Sequence, residues 1–211
     1  MRKAKADKYA FVNLAETNAE REKMKERQSR KMEKKKLLIV VDYQNDFVVG
    51  SLGCPQAAAI EAALAAKIRE YRSMGQAAQI IFTMDTHDKN YLNTQEGLNL
   101  PVEHCIKGFD GWQLYGKAAE LKSDEDLVFS KGTFGSMELA DFLRDKGDEY
   151  ESVELCGVVT NICVISNMAL VKAAMPEVPI IIDAACVASN EDVLGEAALA
   201  VMETMHVKVI R

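Results

Sequence analysis

The strongest constraint on the fold of this chain is a repeating alternation that begins at Leu37 and continues to the C-terminus. Short β-branched apolar runs, which are typical of strands, are separated by longer amphipathic segments, which are typical of helices. Because parallel strands need a long crossover connection, this alternation predicts βαβ units. We therefore expect an α/β domain with three layers, α/β/α, and a mainly parallel, doubly wound sheet of six strands.

The expected strands lie at about 37–42, 78–84, 126–130, 152–158, 178–183 and 206–210. The expected helices lie near 56–74, 136–146, 162–174 and 191–204. The segment 86–124 shows little periodicity and many Gly, Asn, Asp and Pro residues. A loop of that length inside a compact domain is either functional or wrongly assigned.

Composition is that of an ordinary globular protein, with 211 residues, 48% hydrophobic residues and a formal net charge of −6. We find neither a stretch of about 18 apolar residues nor a signal peptide, so we expect no membrane association and a cytoplasmic location. The five cysteines are odd in number and widely spaced, which does not indicate a disulfide framework.

Charge divides the chain into a basic arm and an acidic body. Residues 1–36 carry 13 Lys+Arg against 6 Asp+Glu, a balance of +7, which leaves −13 for the rest. The part from Glu16 to Lys36 has almost no apolar stripe and favours a solvated, weakly packed helix. It contains no aromatic residue between its charges, which disfavours nucleic-acid binding. We expect 1–35 to be a helical or partly disordered extension and 36–211 to be the functional domain.

Reactive side chains recur where the predicted strands end, which is where open parallel sheets bind ligands. Asp42 closes the first strand, Asp85 and His87 follow the second, Lys131 follows the third, and Cys163 lies just after the fourth, at the predicted start of a helix. Each has an ordinary explanation, such as a turn aspartate, a surface lysine or a buried thiol, as we expect for Cys156. Their joint placement at corresponding strand ends favours a catalytic role over these ordinary explanations.

Together these groups suit acyl transfer through a thioester. A thiol at a helix N-terminus near a lysine has a stabilised thiolate, and a nearby carboxylate can accept its proton. Backbone N–H groups around Thr160-Asn161-Ile162-Cys163 can hold a developing oxyanion.

A second group is suited to a transition metal. Two imidazoles and two carboxylates, from Asp85, His87, Glu96 and His104, are ligands that Zn, Mn or Fe(II) accept. The Asp85-x-His87 spacing directs both side chains to one side of an extended segment. The two histidines can equally lie in a polar loop by chance, and spacing alone does not decide. The third histidine, His206, has no acidic neighbour at comparable spacing and is not expected to be functional.

Three sequence blocks resemble the cysteine hydrolases that include nicotinamidase and the isochorismatase-like proteins. They are IVVDYQNDF at 39–47, Lys131-Gly132 with Phe134 and Ser136 after it, and GVVTNIC at 157–163. In order, spacing and strand context they resemble the catalytic Asp, Lys and Cys blocks of that family. The resemblance covers about residues 36–210 and implies the Rossmann-like, isochorismatase-like hydrolase fold.

By this resemblance Asp42 is the general base, Lys131 the stabilising cation and Cys163 the nucleophile. The family also carries a cis peptide that falls here between Val158 and Val159. It would direct the Val159 N–H, with that of Cys163, toward the oxyanion.

The chain also resembles nicotinamidases in the segment that carries Asp85, His87, Glu96 and His104. Many isochorismatase-like relatives lack this set of metal ligands. The third ligand of nicotinamidases is often a histidine where this chain has Asn93, so the resemblance assigns Glu96 instead. An aromatic residue that often precedes the last ligand is replaced here by the Leu100 region. Phe47 and Phe134 remain as pocket walls, and Trp112 joins them if its loop folds inward.

The resemblance thus implies a metal-containing cysteine amidase that hydrolyses nicotinamide to nicotinate and ammonia. It needs one divalent transition metal and no organic cofactor, and many relatives assemble as dimers or tetramers, so we expect a homo-oligomer. The alternatives are an amidase of the same fold for another small amide, such as a ureido or carbamoyl compound, or a non-catalytic binding protein.

Overall fold

A six-stranded parallel sheet forms the centre of the protein. The structure, a computed structural model, describes residues 34–211. The strands are β1 (Lys35–Val41), β2 (Ala78–Asp85), β3 (Leu127–Lys131), β4 (Tyr150–Val158), β5 (Ile180–Ala188) and β6 (Lys208–Ile210). Their order in the sheet is β3-β2-β1-β4-β5-β6, and all five neighbouring pairs are parallel. The predicted fold class is confirmed.

Eight α-helices connect these strands within the described residues. They are α1 (Asn45–Val48), α2 (Pro55–Ala59), α3 (Glu61–Ser73), α4 (Gln95–Asn99), α5 (Gly116–Leu121), α6 (Met137–Arg144), α7 (Ile165–Ala174) and α8 (Asp192–Thr204). Among the described residues, no helix is long and apolar enough to cross a membrane.

Alternate side chains of β1 enter two separate apolar cores, one on each face of the sheet. Leu37, Ile39 and Val41 pack with residues of α6, α7 and α8, whereas Leu38 and Val40 pack with residues of α3 and α5. All five side chains are fully buried. The apolar run at the start of the domain is continuous because a central parallel strand is covered on both faces.

Several predicted boundaries are wrong, each for a local reason. The single helix expected at 56–74 is interrupted at Ile60, which separates α2 from α3. The helix expected from residue 162 begins at Ile165, because a wider π-type turn over Thr160–Val164 precedes it. Strand β5 continues to Ala188 across an irregularity in its pairing with β4, five residues beyond the predicted end.

The predicted loop at 86–124 contains two short helices, α4 and α5, so the absence of periodicity concealed regular structure. The helix predicted from Glu16 falls mainly on residues outside the described part of the chain. Its predicted end is wrong, since Lys35 and Lys36 already belong to β1.

Candidate functional site

The four strand-end residues predicted from the sequence come together at one edge of the sheet. Asp42 directly follows β1, Asp85 and Lys131 are the last residues of β2 and β3, and Cys163 lies in the turn after β4. The order β3-β2-β1-β4 makes these strands consecutive neighbours. Strands β2 and β3 are added on one side of β1, and β4 to β6 are added on the other. The strand order therefore reverses between β1 and β4, and such switch points form crevices that bind ligands.

Lys131 lies at the centre of a buried charge cluster. Its Nζ is 2.6 Å from Asp42 Oδ2, 3.3 Å from Asp85 Oδ1 and 3.7 Å from Cys163 Sγ. Thr83 Oγ1 donates to the other oxygen of Asp42 at 2.7 Å. The lysine is 5% exposed and Asp42 is fully buried. One ammonium group therefore faces two carboxylates and a thiol in a buried region.

Burial and charge act on these groups in opposite directions. Burial raises the pKa of Asp42, while the ammonium of Lys131 opposes that rise. Burial lowers the pKa of Lys131, but Asp42, Cys163 and Asp85 outweigh it and the pKa is raised. Burial, followed by the charge of Asp42, raises the pKa of the Cys163 thiol well above its usual value. These directions favour a charged lysine and a protonated thiol, so the stabilised thiolate expected from the sequence is not found.

The four predicted metal ligands form a second cluster beside the first. Donor atoms of Asp85, His87, Glu96 and His104 all lie within 4.8 Å of one another. Asp85 Oδ2 is 3.1 Å from His87 Nε2 and 3.3 Å from His104 Nε2, and Glu96 Oε1 is 3.7 Å from each imidazole nitrogen. Tetrahedral ligands at the usual zinc distances are about 3.3–3.6 Å apart. The separations and the donor types therefore fit a four-coordinate transition metal.

Neighbouring groups orient the two imidazoles. His104 Nδ1 hydrogen bonds with the Val102 carbonyl at 2.9 Å, so Nε2 faces the cluster. The Tyr91 ring packs against both imidazoles, with centroid distances of 4.7 and 4.9 Å. Such outer partners fix ring orientation at metal sites. The histidines and the cationic Lys131 lower the pKa of Asp85 despite its burial, so this carboxylate stays ionised.

A cavity of about 200 Å³ connects the two clusters. Its lining includes Cys163 together with Asp85, Glu96 and His104. The three predicted pocket residues also line it: Phe47, Leu100 and Phe134.

Two other predicted residues lie outside this cavity. Trp112 does not line it; the Trp112 indole N–H instead donates to Thr86 Oγ1 at 2.9 Å, which holds the loop in place. His206 is exposed after α8.

The turn that carries the thiol also borders this cavity. The Val158–Val159 peptide bond is cis, and Val159 lines the cavity next to Cys163. Ser189, just after β5, hydrogen bonds to Asn161 in the turn. Cys156, two residues before the cis bond, is fully buried in β4.

Sequence reasoning assigned no role to Gln44, although the structure shows that its side chain joins the main chain at Asp85 to that at Trp112. Its Oε1 accepts from the Asp85 N–H at 2.8 Å, while its Nε2 donates to the carbonyls of Asp85 at 2.9 Å and Trp112 at 2.8 Å. Asp46 similarly accepts from the N–H of Cys105, next to His104, at 2.8 Å. Both lie in the 39–47 block, where polar residues directly after a buried strand were the available signal.

Fold and site define a class: a three-layer α/β/α protein with a buried Asp-Lys-Cys cluster beside a set of side chains that could hold a metal ion. A model of the isochorismatase domain matches residues 36–211. The chain belongs to the isochorismatase family and is a hydrolase of that family.

One curated relative is the uncharacterized isochorismatase family protein PncA of Bacillus subtilis (strain 168). It is 32% identical over 142 residues, which cover 62% of this chain and 75% of the relative.

Solved structures of the same family are similar over most of the chain. The nicotinamidase/pyrazinamidase PncA from Bacillus subtilis has a TM-score of 0.74 at 25% identity, covering 84% of this chain and 100% of that one. The pyrazinamidase of Pyrococcus horikoshii in complex with zinc has a TM-score of 0.72 at 25% identity, covering 84% and 99%.

Proposed function

We propose that the protein is a metal-containing cysteine amidase that hydrolyses nicotinamide to nicotinate and ammonia. The observation that carries the proposal is that one cavity is lined both by Cys163 and by side chains that can hold a metal ion. A planar amide that spans this cavity can meet both groups at once. The similarity to a nicotinamidase/pyrazinamidase supports this substrate class.

In the first half of the reaction, Asp42 takes the thiol proton as Cys163 Sγ forms a bond to the carboxamide carbon. The Val159 and Cys163 N–H groups hold the oxyanion, and the Lys131 ammonium balances the changing charge. The C–N bond then breaks, the amino group leaves with the proton returned from Asp42, and a thioester remains.

In the second half, water attacks the thioester carbon while Asp42 accepts a proton from it. The C–S bond breaks, the proton returns to sulfur, and the acid product leaves. Each cycle therefore consumes one water, and the cluster ends in its starting state.

The metal centre has a binding role in this proposal. A divalent zinc, manganese or iron ion held by Asp85, His87, Glu96 and His104 would supply a Lewis acid for the ring nitrogen of the substrate. The zinc complex of the Pyrococcus horikoshii pyrazinamidase supports zinc. No organic cofactor enters the scheme.

The same chemistry serves an alternative substrate, a ureido or carbamoyl compound or another small amide. Leu100, at 37% exposed, forms part of the cavity wall where a larger ring is absent. This wall leaves room for amides of a different shape.

Ammonia release from nicotinamide by the purified protein tests the proposal, with metal content measured on the same sample. We expect turnover with about one transition metal per chain, and its loss in Cys163→Ala with metal content unchanged. Turnover that survives in Cys163→Ala would exclude the thioester route. No release from a wild-type protein that holds metal would transfer the proposal to the alternative amides.

We further propose that the catalytic domain begins with β1 at Lys35, one residue earlier than the sequence predicts, and that the residues before it are an extension. Assembly as a homo-oligomer and a cytoplasmic location complete the proposal. Sedimentation velocity and fractionation of cells test these two points.

A further inference from the structure

A buried amide side chain one helical turn after the nucleophile joins two segments of the site. Asn167, in α7, is 1% exposed. Its Nδ2 donates to the Cys163 carbonyl at 2.8 Å and to the Phe134 carbonyl at 3.0 Å, and its Oδ1 accepts from the Ser136 N–H at 3.0 Å. Three of the four hydrogen bonds that an amide can form are thus made to main-chain groups.

Both segments that Asn167 joins contribute to the lining of the cavity. One is the turn that carries the Cys163 thiol. The other is the connection from β3 to α6, which carries Phe134 in the cavity wall. The same connection begins at Lys131, whose Nζ donates to the Thr133 carbonyl at 2.9 Å. Asn167 therefore links the thiol, the apolar wall and the segment that follows the lysine.

Other contacts already provide for the stability of these elements. Ser136 caps α6, because its Oγ accepts from the Leu139 N–H at 3.2 Å. A side chain added at Gly135 would lie 2.7 Å from Leu170, so the connection already packs closely on α7. Helix capping and close packing are thus achieved without the Asn167 amide. The amide adds a fixed position of the Cys163 main chain relative to that of Phe134.

We propose that Asn167 is a positioning residue that sets the placement of the Cys163 thiol relative to the substrate wall at Phe134. The inference rests on the proposed amidase function for its kinetic consequence. It acts through main-chain groups only, since the Asn167 side chain is not part of the cavity lining. A displacement of about 1 Å at a reacting atom can cost about 100-fold in rate.

Three variants separate the contacts of the amide. Asn167→Leu keeps the branched shape of the side chain and removes all three bonds. Asn167→Asp keeps an acceptor for the Ser136 N–H but turns a carboxylate oxygen toward two carbonyl groups. Asn167→Thr can donate to the carbonyl four residues earlier, that of Cys163, but cannot bridge to Phe134.

The control is Tyr71→Phe, in α3. Tyr71 is buried and its Oη donates to Glu154 Oε2 at 2.8 Å, in the apolar core on the other face of the sheet from α7. This variant loses a buried hydrogen bond away from the thiol. Its rates show how much a loss of stability alone changes kcat, KM and the alkylation rate.

Two measurements are made on the metal-loaded full chain, with the folded fraction determined by near-UV circular dichroism. The first is kcat and KM for nicotinamide. The second is the rate at which iodoacetamide alkylates Cys163, followed by mass spectrometry of the peptide that contains it. The second rate needs no substrate, so failure of nicotinamide as substrate leaves the positioning test intact.

We expect Asn167→Leu and Asn167→Asp to lower kcat/KM about 10- to 100-fold per folded molecule and to change the alkylation rate at least threefold. Asn167→Thr should recover kcat to within about threefold while KM stays raised, because the bond to the Cys163 carbonyl is kept and the two bonds to Phe134 and Ser136 are lost. Tyr71→Phe should keep wild-type rates.

Wild-type kcat, KM and alkylation rate in folded Asn167→Leu and Asn167→Asp would overturn the proposal. If those two variants do not fold, the threonine variant decides. If Asn167→Thr changes kcat and KM by the same factors as Tyr71→Phe, Asn167 is only a structural contact.

Discussion

At the scale of single residues, the site depends on a cation that balances several buried groups. Lys131 is within 4 Å of two carboxylates and one thiol, and its side chain is 2% exposed. A buried charge is tolerated only when it is paired, so each member of this cluster requires the others. The lysine is therefore both a structural and a functional group.

Replacement of Lys131 by methionine should lower the free energy of unfolding by about 3–5 kcal/mol, because Asp42 and Asp85 lose their shared partner. Turnover should be lost as well. Urea denaturation and the ammonia assay measure the two effects. The matched control is Arg144→Met, whose pair with Asp141 at 2.8 Å is 64% and 55% exposed on its two sides and should contribute at most about 1 kcal/mol. Equal losses in both variants would contradict the central role of Lys131.

At the scale of elements, the close approach of β4 to β1 sets the geometry of the site. Gly157 has φ of +111°, and a Cβ there would lie 2.1 Å from the Val41 carbonyl oxygen. A side chain would push the two central strands apart next to Asp42. Only glycine satisfies both the backbone conformation and the contact.

Gly157→Ala should cost roughly 3 kcal/mol or more, which corresponds to a drop in Tm of at least about 6 °C. Turnover per folded molecule should also fall, because Asp42 and Val158 flank the contact. Differential scanning calorimetry and the ammonia assay provide the measurements.

Gly75→Ala is the comparison for this variant. Gly75 also has a positive φ, +58°, but nothing lies within 4 Å of its added Cβ. It should lose only the conformational term of about 1–2 kcal/mol and keep full activity. A Gly157→Ala protein no less stable than Gly75→Ala would refute the steric argument.

At the scale of the whole molecule, buried titratable groups determine how stability depends on pH. Burial, followed by the charge of Glu149, raises the pKa of Tyr150 from 10.0 to about 12. The unfolded chain releases this proton near pH 10 while the folded chain keeps it. The resulting contribution is fully present below pH 10 and is lost as the pH rises toward about 12.

Tyr150→Phe should therefore make the free energy of unfolding fall less steeply between pH 10 and 12 than in the wild type. The difference in slope is bounded by the roughly 1.4 kcal/mol per pH unit that one proton gives. At pH 7 the variant should lose about 1 kcal/mol, since the phenol no longer donates to Gln79 Oε1 at 2.7 Å. Urea midpoints across this range test the point, and parallel slopes would contradict it.

Truncation tests how activity is divided along the chain. All proposed catalytic and metal-binding residues lie between Lys35 and Arg211, so removal of residues 1–33 should leave kcat/KM within about twofold. The start of β1 at Lys35 requires the cut to precede that residue. A large loss of activity, or loss of a bound partner, would favour the basic arm as a functional segment.

The sequence by itself determined the six strands, their alternation with helices, and the strand-end positions of Asp42, Asp85, Lys131 and Cys163. These follow from local periodicity and from the rule that ligands bind at the carboxyl ends of parallel strands. The donor set for a metal was equally visible, because residue type and spacing are local information.

Only the tertiary structure decided how Gln44 and Asn167 are used, where Trp112 points, and which short helices form within 86–124. Apart from the bond of Asn167 to Cys163, the hydrogen bonds of both amides join segments about 30 to 70 residues apart in the chain. Such partners are chosen by strand order and packing, which act over long sequence separations and leave no local periodic pattern. Helix α4 is five residues long, too short to show a helical period, and its place depends on the residues it packs against.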